Sequence, residues 1–148
     1  LGNFEGNFAN NPAIALFIPL IGGTGGNVGI QSSAIVVQGL ANGSLDLRKS
    51  LSQIVKELGL ALINASIISL LVFAYNFFIF HPDFKITIAV SASLFAVVLF
   101  AATFGTFVPL TLEKMKVDPA IATGPFITIT NDIIGMMIYI TVCMMLLQ

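Results

Sequence analysis

Four long apolar stretches separated by short polar connections dominate the chain. A helix crosses a bilayer with roughly 20 mostly apolar residues, and each stretch is long enough to do so. The first runs from Pro12 to Leu40 and carries "PLIGGTGGNVGIQSS" in its middle. The second, Leu58 to Phe80, has no charged residue, and neither does the third, Ile86 to Leu112. The fourth, Pro119 to Leu147, is apolar except for Asp132 and its polar neighbours. The pattern predicts an all-α fold, a polytopic bundle of four transmembrane helices embedded in a lipid bilayer.

The connections refine this picture. In "ANGSLDLRKSLSQIVKE" (41–57), Leu47, Leu51, Ile54, Val55 and Leu58 recur at helical spacing beside Arg48, Lys49 and Lys56. That spacing predicts a short amphipathic helix at the membrane interface, with Asp46 as its N-cap. "HPDFK" (81–85) is a tight connection, and "EKMKVDP" (113–119) places Asp118 as N-cap and Pro119 in the first turn of the last helix. Five of six basic residues fall in the 41–57 and 113–119 connections, with Lys85 alone in the other. The positive-inside rule makes those two cytoplasmic and 81–85 external, in a multi-pass protein of the inner (plasma) membrane. Four spans then leave both ends outside, a puzzle that one further span upstream would resolve.

Composition agrees. Only 9% of residues are charged, against about 25% in soluble domains, and this cannot cover a water-facing surface. A net charge of −1 without a basic patch argues against nucleic acid as a partner. Single Cys143 and His81 exclude a disulfide framework and a Cys/His zinc site within one chain. Cys143, among Met and Leu, reads as an apolar filler. The chain starts at Leu1 without a charged n-region, and is expected to be the membrane part of a longer polypeptide.

Asp132 is the sharpest chemical signal. An ionised carboxylate in mid-span costs at least about 2.5 kcal/mol and nearly always faces a bundle interior or an aqueous path. No Lys or Arg lies in any other span to pair with it. The candidates are a cation site, a proton relay, or a protonated Asp bonded to a neighbouring helix. At three- and four-residue spacing Gly124, Thr128, Asp132 and Gly135 or Met136 share a helix face, flanked by Thr130 and Asn131. Ile127, Ile134 and Ile138 take the opposite side. On a continuous helix Asp118 would lie roughly 21 Å away, at the cytoplasmic mouth. It can attract cations there, cap the helix, or both.

The first span adds Gly22, Gly23, Gly25, Gly26 and Gly29, with Asn27 and Gln31 on a neighbouring face. Small-xxx-small spacing lets helices approach closely. Missing side chains also expose backbone carbonyls, which can contact an ion's hydration shell. Pro19 removes one helical donor upstream. Neither a dinucleotide fingerprint nor a P-loop lysine is present, and no nucleophile–base set suggests an enzyme.

One carboxylate with hydroxyl, amide and carbonyl oxygens suits a hard cation. Mg²⁺ sheds water reluctantly and is usually held through one or two carboxylates, so Mg²⁺ as transported ion fits a glycine-widened path. The same oxygen chemistry admits Mn²⁺ or Co²⁺. One membrane carboxylate per chain suggests a homodimer contributing two Asp132 to one pore. Two other readings stay open: a secondary transporter coupled to H⁺ or Na⁺, and a membrane anchor whose glycines only dimerise helices.

Several segments resemble the MgtE family of magnesium channels and transporters. They are "FE" (4–5), "PLIGGTGGNVGIQSS" (19–33), "GLANG" (39–43), "KEL" (56–58) and "DPAIATGPFITITNDIIGMMIY" (118–139). The resemblance implies a homodimer of five-helix membrane domains with the pore at the dimer interface. It also implies N-terminal cytosolic regulatory domains, an N domain and paired CBS domains, that close the pore at high intracellular Mg²⁺. By that resemblance Asp132 binds hydrated Mg²⁺, Gly22 to Gly29 with Asn27 line the pore, and Asp118 lies near its cytoplasmic end. The first family helix and the cytosolic domains are expected to be missing from residues 1–148, which resolves the topology puzzle.

Overall fold

A computed structural model describes residues 12–45 and 50–147. The chain enters as α1 (Pro12–Leu16), breaks for one residue at Phe17, and continues as α2 (Ile18–Ala41). Pro19 explains the break. It occupies the first turn of α2, where a missing N–H leaves no helical bond unmade. The backbone resumes as the Ile21 N–H donates to the Phe17 carbonyl at 2.9 Å.

Next comes α3 (Ser50–Tyr75), which runs on into a π-helical turn, Asn76–Phe80. The expected interfacial helix is therefore not a separate element over its described part. From Ser50 onward it forms the first turns of α3, because no proline or left-handed residue interrupts the chain before the second span. Asp46, Leu47, Arg48 and Lys49 lie outside the described residues. His81, left-handed at φ 51°, closes the π turn by donating its N–H to the Asn76 carbonyl at 2.8 Å.

α4 (Phe84–Lys114) starts at Asp83, whose carboxylate accepts from the Lys85 N–H at 2.8 Å. The fourth span then departs from expectation. Asp118 caps a short 3₁₀ turn, Pro119–Ala122, accepting from the Ala120 N–H at 2.9 Å, and α5 begins only at Pro125 (Pro125–Leu146). A proline disfavours helical geometry in the residue before it. Gly124 sits at φ 60°, ψ −130°, a conformation essentially reserved for glycine. Asp118 and Asp132 therefore do not share one continuous helix, and helical rise no longer fixes their separation.

Among the described residues, four helical segments are long and apolar enough to cross a membrane: Pro12–Ala41, Ile54–Phe80, Phe84–Lys114 and Pro125–Leu146. The protein is a multi-pass, all-α membrane bundle. α4 is its centre, packed on α2, α3 and α5, while α3 packs chiefly on α4. Ile21, Leu94, Val97, Val98 and Tyr139 are fully or almost fully buried. The Ser69 hydroxyl of α3 donates to the Ser91 carbonyl of α4 at 2.6 Å, and Leu60, Ile63, Ile67, Leu70 and Leu71 of α3 stay exposed, as a lipid-facing helix requires.

A close backbone-to-backbone approach between helices lies at two glycines. A Cβ placed on Gly105 of α4 would fall 3.2 Å from the Gly29 Cα and 3.1 Å from its carbonyl carbon, and closer still to the carbonyl oxygen. Backbone cannot swing aside as a side chain can, so α2 and α4 would have to separate. Gly105→Ala is expected to destabilise the bundle by about 1–3 kcal/mol, the usual cost of overpacking. Gly59→Ala on α3, where a Cβ meets nothing within 4 Å, is the control and should melt like the unaltered protein. Thermal melting in detergent checks both, and equal melting of the two variants would contradict the close approach.

Candidate ion site

Asp132 is the eighth residue of α5, and its carboxylate is half-buried against α2. A Cβ on Gly26 would lie 3.1 Å from Asp132 Oδ1 and 3.2 Å from Thr128 Cγ2, and one on Gly22 would lie 3.8 Å from the same oxygen. Gly26 stands midway along the Pro12–Ala41 span, about 20 Å from either end at 1.5 Å per residue. The carboxylate is therefore at mid-height of the first span, and the two glycines facing it offer backbone instead of side chain. Among the described residues, no hydrogen bond or ion pair engages the carboxylate. The same residues hold no cluster of three or more His, Cys, Asp or Glu.

The expected pore residues divide between two faces. Gly22, Gly26, Thr128 and Asp132 come together. Gly25 and Gly29 turn toward the protein interior. A Cβ on Gly25 would meet Val97 Cγ1 at 3.0 Å, and one on Gly29 would meet Ile127 Cγ2 at 2.9 Å and overlap the Asn131 carboxamide. Asn131 is fully buried in that notch, and neither amide atom has a partner among the described residues. Gly135, expected to leave space beside Asp132, instead receives Val97, whose Cγ1 lies 3.1 Å from where its Cβ would be. Gly23 and Asn27 lie one residue further round α2 and are exposed together with Gln31. Amides left facing outward in mid-span are poorly matched to hydrocarbon.

Below the carboxylate the backbone itself is irregular. The Ser33 hydroxyl of α2, fully buried, donates to the Ala122 carbonyl at the end of the 3₁₀ turn. Ser33 lies eight residues before the end of α2, roughly 12 Å inside the bundle. Non-helical backbone at such depth is tolerated only where protein buries it or water reaches it. Ser33 performs the first function. Gly124 has open space where a Cβ would be, and its carbonyl accepts from the Thr128 hydroxyl at 3.0 Å. Asp118 is exposed at that end of the bundle, beside Lys114 and Lys116.

Two positioning residues escape a reading of periodicity. One is Ser33. The other is Tyr139, fully buried, whose hydroxyl donates to the Ile14 carbonyl at 2.8 Å and so ties α5 to α1. A tyrosine inside an apolar run is itself a signal, because its hydroxyl must find a partner when buried.

Comparison with known proteins meets this geometry from another direction. The sequence profile of the MgtE family, described as "Divalent cation transporter", matches residues 18–142, which include both glycine faces and Asp132. The chain is similar to proteins named "Magnesium transporter MgtE" from three bacteria. It is 33% identical to that of Thermus thermophilus over 148 residues, covering all of this chain and 32% of the relative. It is 35% identical to that of Bacillus subtilis over 136 residues, covering 92% of this chain and 30% of the relative. Identity to the Enterococcus faecalis protein is 28% over 152 residues, the whole chain and 32% of the relative. The chain thus spans about a third of the length of these relatives. A match running from α2 to α5 shows that the chain belongs to the MgtE family of divalent cation transporters.

Proposed function

We propose that this chain forms the ion-conducting part of a Mg²⁺ channel, with Asp132 binding hydrated Mg²⁺ as it crosses. The observation that carries the reading is a mid-span carboxylate with no cationic partner among the described residues, set against the side-chain-free surface of Gly22 and Gly26. Mg²⁺ gives up its waters reluctantly. A path walled by glycine leaves room for the inner hydration shell, whose water protons point outward to the carboxylate and to helix carbonyls. Two copies of the chain related by a twofold axis would present two carboxylates, enough to balance the ion's charge. The exposed Gly23, Asn27 and Gln31 stripe supports this, since a partner copy or pore water would cover what lipid cannot. N-terminal cytosolic regulatory domains of the same polypeptide would set when the path opens.

The membrane supplies the drive. With the 41–57 and 113–119 connections cytoplasmic and 81–85 outside, in the plasma membrane, an inside-negative potential of 100 mV is worth about 4.6 kcal/mol to a divalent cation. That exceeds the price of several weak outer-shell contacts, so passive flux suffices and no coupled ion is required.

Asp132→Asn keeps the side chain's size and removes its charge. Uptake of Mg²⁺ into proteoliposomes under an imposed potential is expected to fall at least tenfold, with the melting temperature little changed. Unchanged uptake would contradict the assignment, and uphill uptake driven by a proton or Na⁺ gradient would replace the channel by a coupled carrier. Gly26→Ala brings a methyl to 3.1 Å from the carboxylate oxygen. It should lower flux severalfold through the narrowed path, whereas Gly59→Ala should conduct normally. Equal flux in the two would exclude Gly26 from the pathway.

A further inference from the structure

The helix least buried in the bundle carries a polar group that lipid cannot serve. α3 packs chiefly on α4 and is the least buried of the four spans. Asn64 lies on its exposed side, roughly 15 Å from the Ile54 end of the span and 24 Å from the Phe80 end at 1.5 Å per residue. That depth is inside the ~30 Å hydrocarbon layer. The hydroxyls of the same helix are satisfied. Ser66 donates to the Leu62 carbonyl at 2.7 Å, and Ser69 to the Ser91 carbonyl of α4. The Asn64 carboxamide makes no hydrogen bond to any described residue. Hydrocarbon offers it neither donor nor acceptor, and an amide left bare there is costly.

The side chains around Asn64 give the shape of what covers it. Leu60, Asn64, Ile67 and Leu71 recur at spacings of four, three and four, and all of them are exposed. Ala74, half-buried, continues the stripe. These are a and d positions of a heptad, so they form one narrow seam that a second helix follows at a shallow crossing angle. In so apolar a helix, leucine and isoleucine meet that spacing by chance. Asn64 decides, because a single asparagine at an a position fixes register and oligomeric state. A carboxamide is also its own complement, since its oxygen accepts and its NH₂ donates. A twofold axis along the membrane normal brings identical residues to identical height, so Asn64 of one copy meets Asn64 of the other.

We propose that α3 forms an interface between two copies of this chain, a parallel two-helix seam centred on hydrogen-bonded Asn64 carboxamides in mid-membrane. Leu60, Ile67 and Leu71 pack across it, and the paired amides supply what hydrocarbon does not. Helices in lipid associate through such packing and polar bonds. Gly22, Gly26, Thr128 and Asp132 belong to α2 and α5, so the seam shares no residue with the ion site and rests on no part of that reading.

Oxidative cross-linking of the full-length protein in proteoliposomes tests the seam, in a Cys143→Ala background that removes the native thiol. Leu60→Cys, Ile67→Cys and Leu71→Cys lie on the stripe, whereas Leu62→Cys and Ser66→Cys are exposed but off it. The three stripe positions should form disulfide-linked dimers at least tenfold more than the other two. Adding Asn64→Leu to Ile67→Cys should lower its cross-linking at least fivefold, and Asn64→Gln, which keeps a carboxamide, should recover part of it. Asn64 is exposed, so neither change disturbs the packing of the bundle. Equal cross-linking on and off the stripe would mark a lipid-facing surface in random collision and overturn the proposal. Stripe cysteines that fail to cross-link would overturn it too, lipid or a different helix then being the occupant. So would cross-linking of Ile67→Cys that ignores Asn64→Leu.

Discussion

The packing of α2 backbone against α4 and α5 is the constraint on which the rest of this bundle depends. Apolar side chains gain little by leaving lipid for protein, so helices in a membrane associate through close contact and polar bonds. Gly29 admits the Asn131 carboxamide on one side and the Gly105 backbone on the other. Val97 of α4 fills the spaces that Gly25 and Gly135 leave, so three helices meet around one side chain. One turn away Gly26 draws α5 near enough for Asp132 to face bare backbone. Packing and ion chemistry are thus two faces of one glycine-rich helix.

That arrangement places a charge at mid-height and an irregular backbone below it. Gly124 turns the chain where Pro125 forbids a continuous helix, and Ser33 satisfies the Ala122 carbonyl that the interruption leaves in the interior. The 3₁₀ turn consequently sits within the bundle beneath Asp132 instead of extending α5 to the surface. A straight helix from Asp118 would have placed side chains where Gly124 now leaves space.

The four spans were legible because length and apolarity alone decide them, and Asp132 stood out because mid-span charge is costly. The break at Gly124 was harder to see. "TGPF" carries both a glycine and a proline, yet the apolar run around them reads as uninterrupted helix. Which glycines pack and which face the carboxylate could not be read from spacing, since residues 22, 25, 26 and 29 fall on adjoining faces and only neighbouring helices separate them. Inside and outside faces were equally hidden. In a membrane both are apolar, so exposed Ile133 and buried Ile127 look alike in sequence. The buried bonds of Ser33 and Tyr139 depend on partners 89 and 125 residues away, beyond the reach of any local pattern.

The central claim is that two copies of Asp132 hold one hydrated divalent cation between them. Anomalous diffraction from crystals grown with Mn²⁺ in place of Mg²⁺ tests it most directly. The account predicts a single peak on a twofold axis between two Asp132 carboxylates, about 4–5 Å from each and bridged by water, since metal–water and water–carboxylate distances add. A pair of chains whose Asp132 side chains face lipid, or a Mn²⁺ peak elsewhere with none near Asp132, would contradict it.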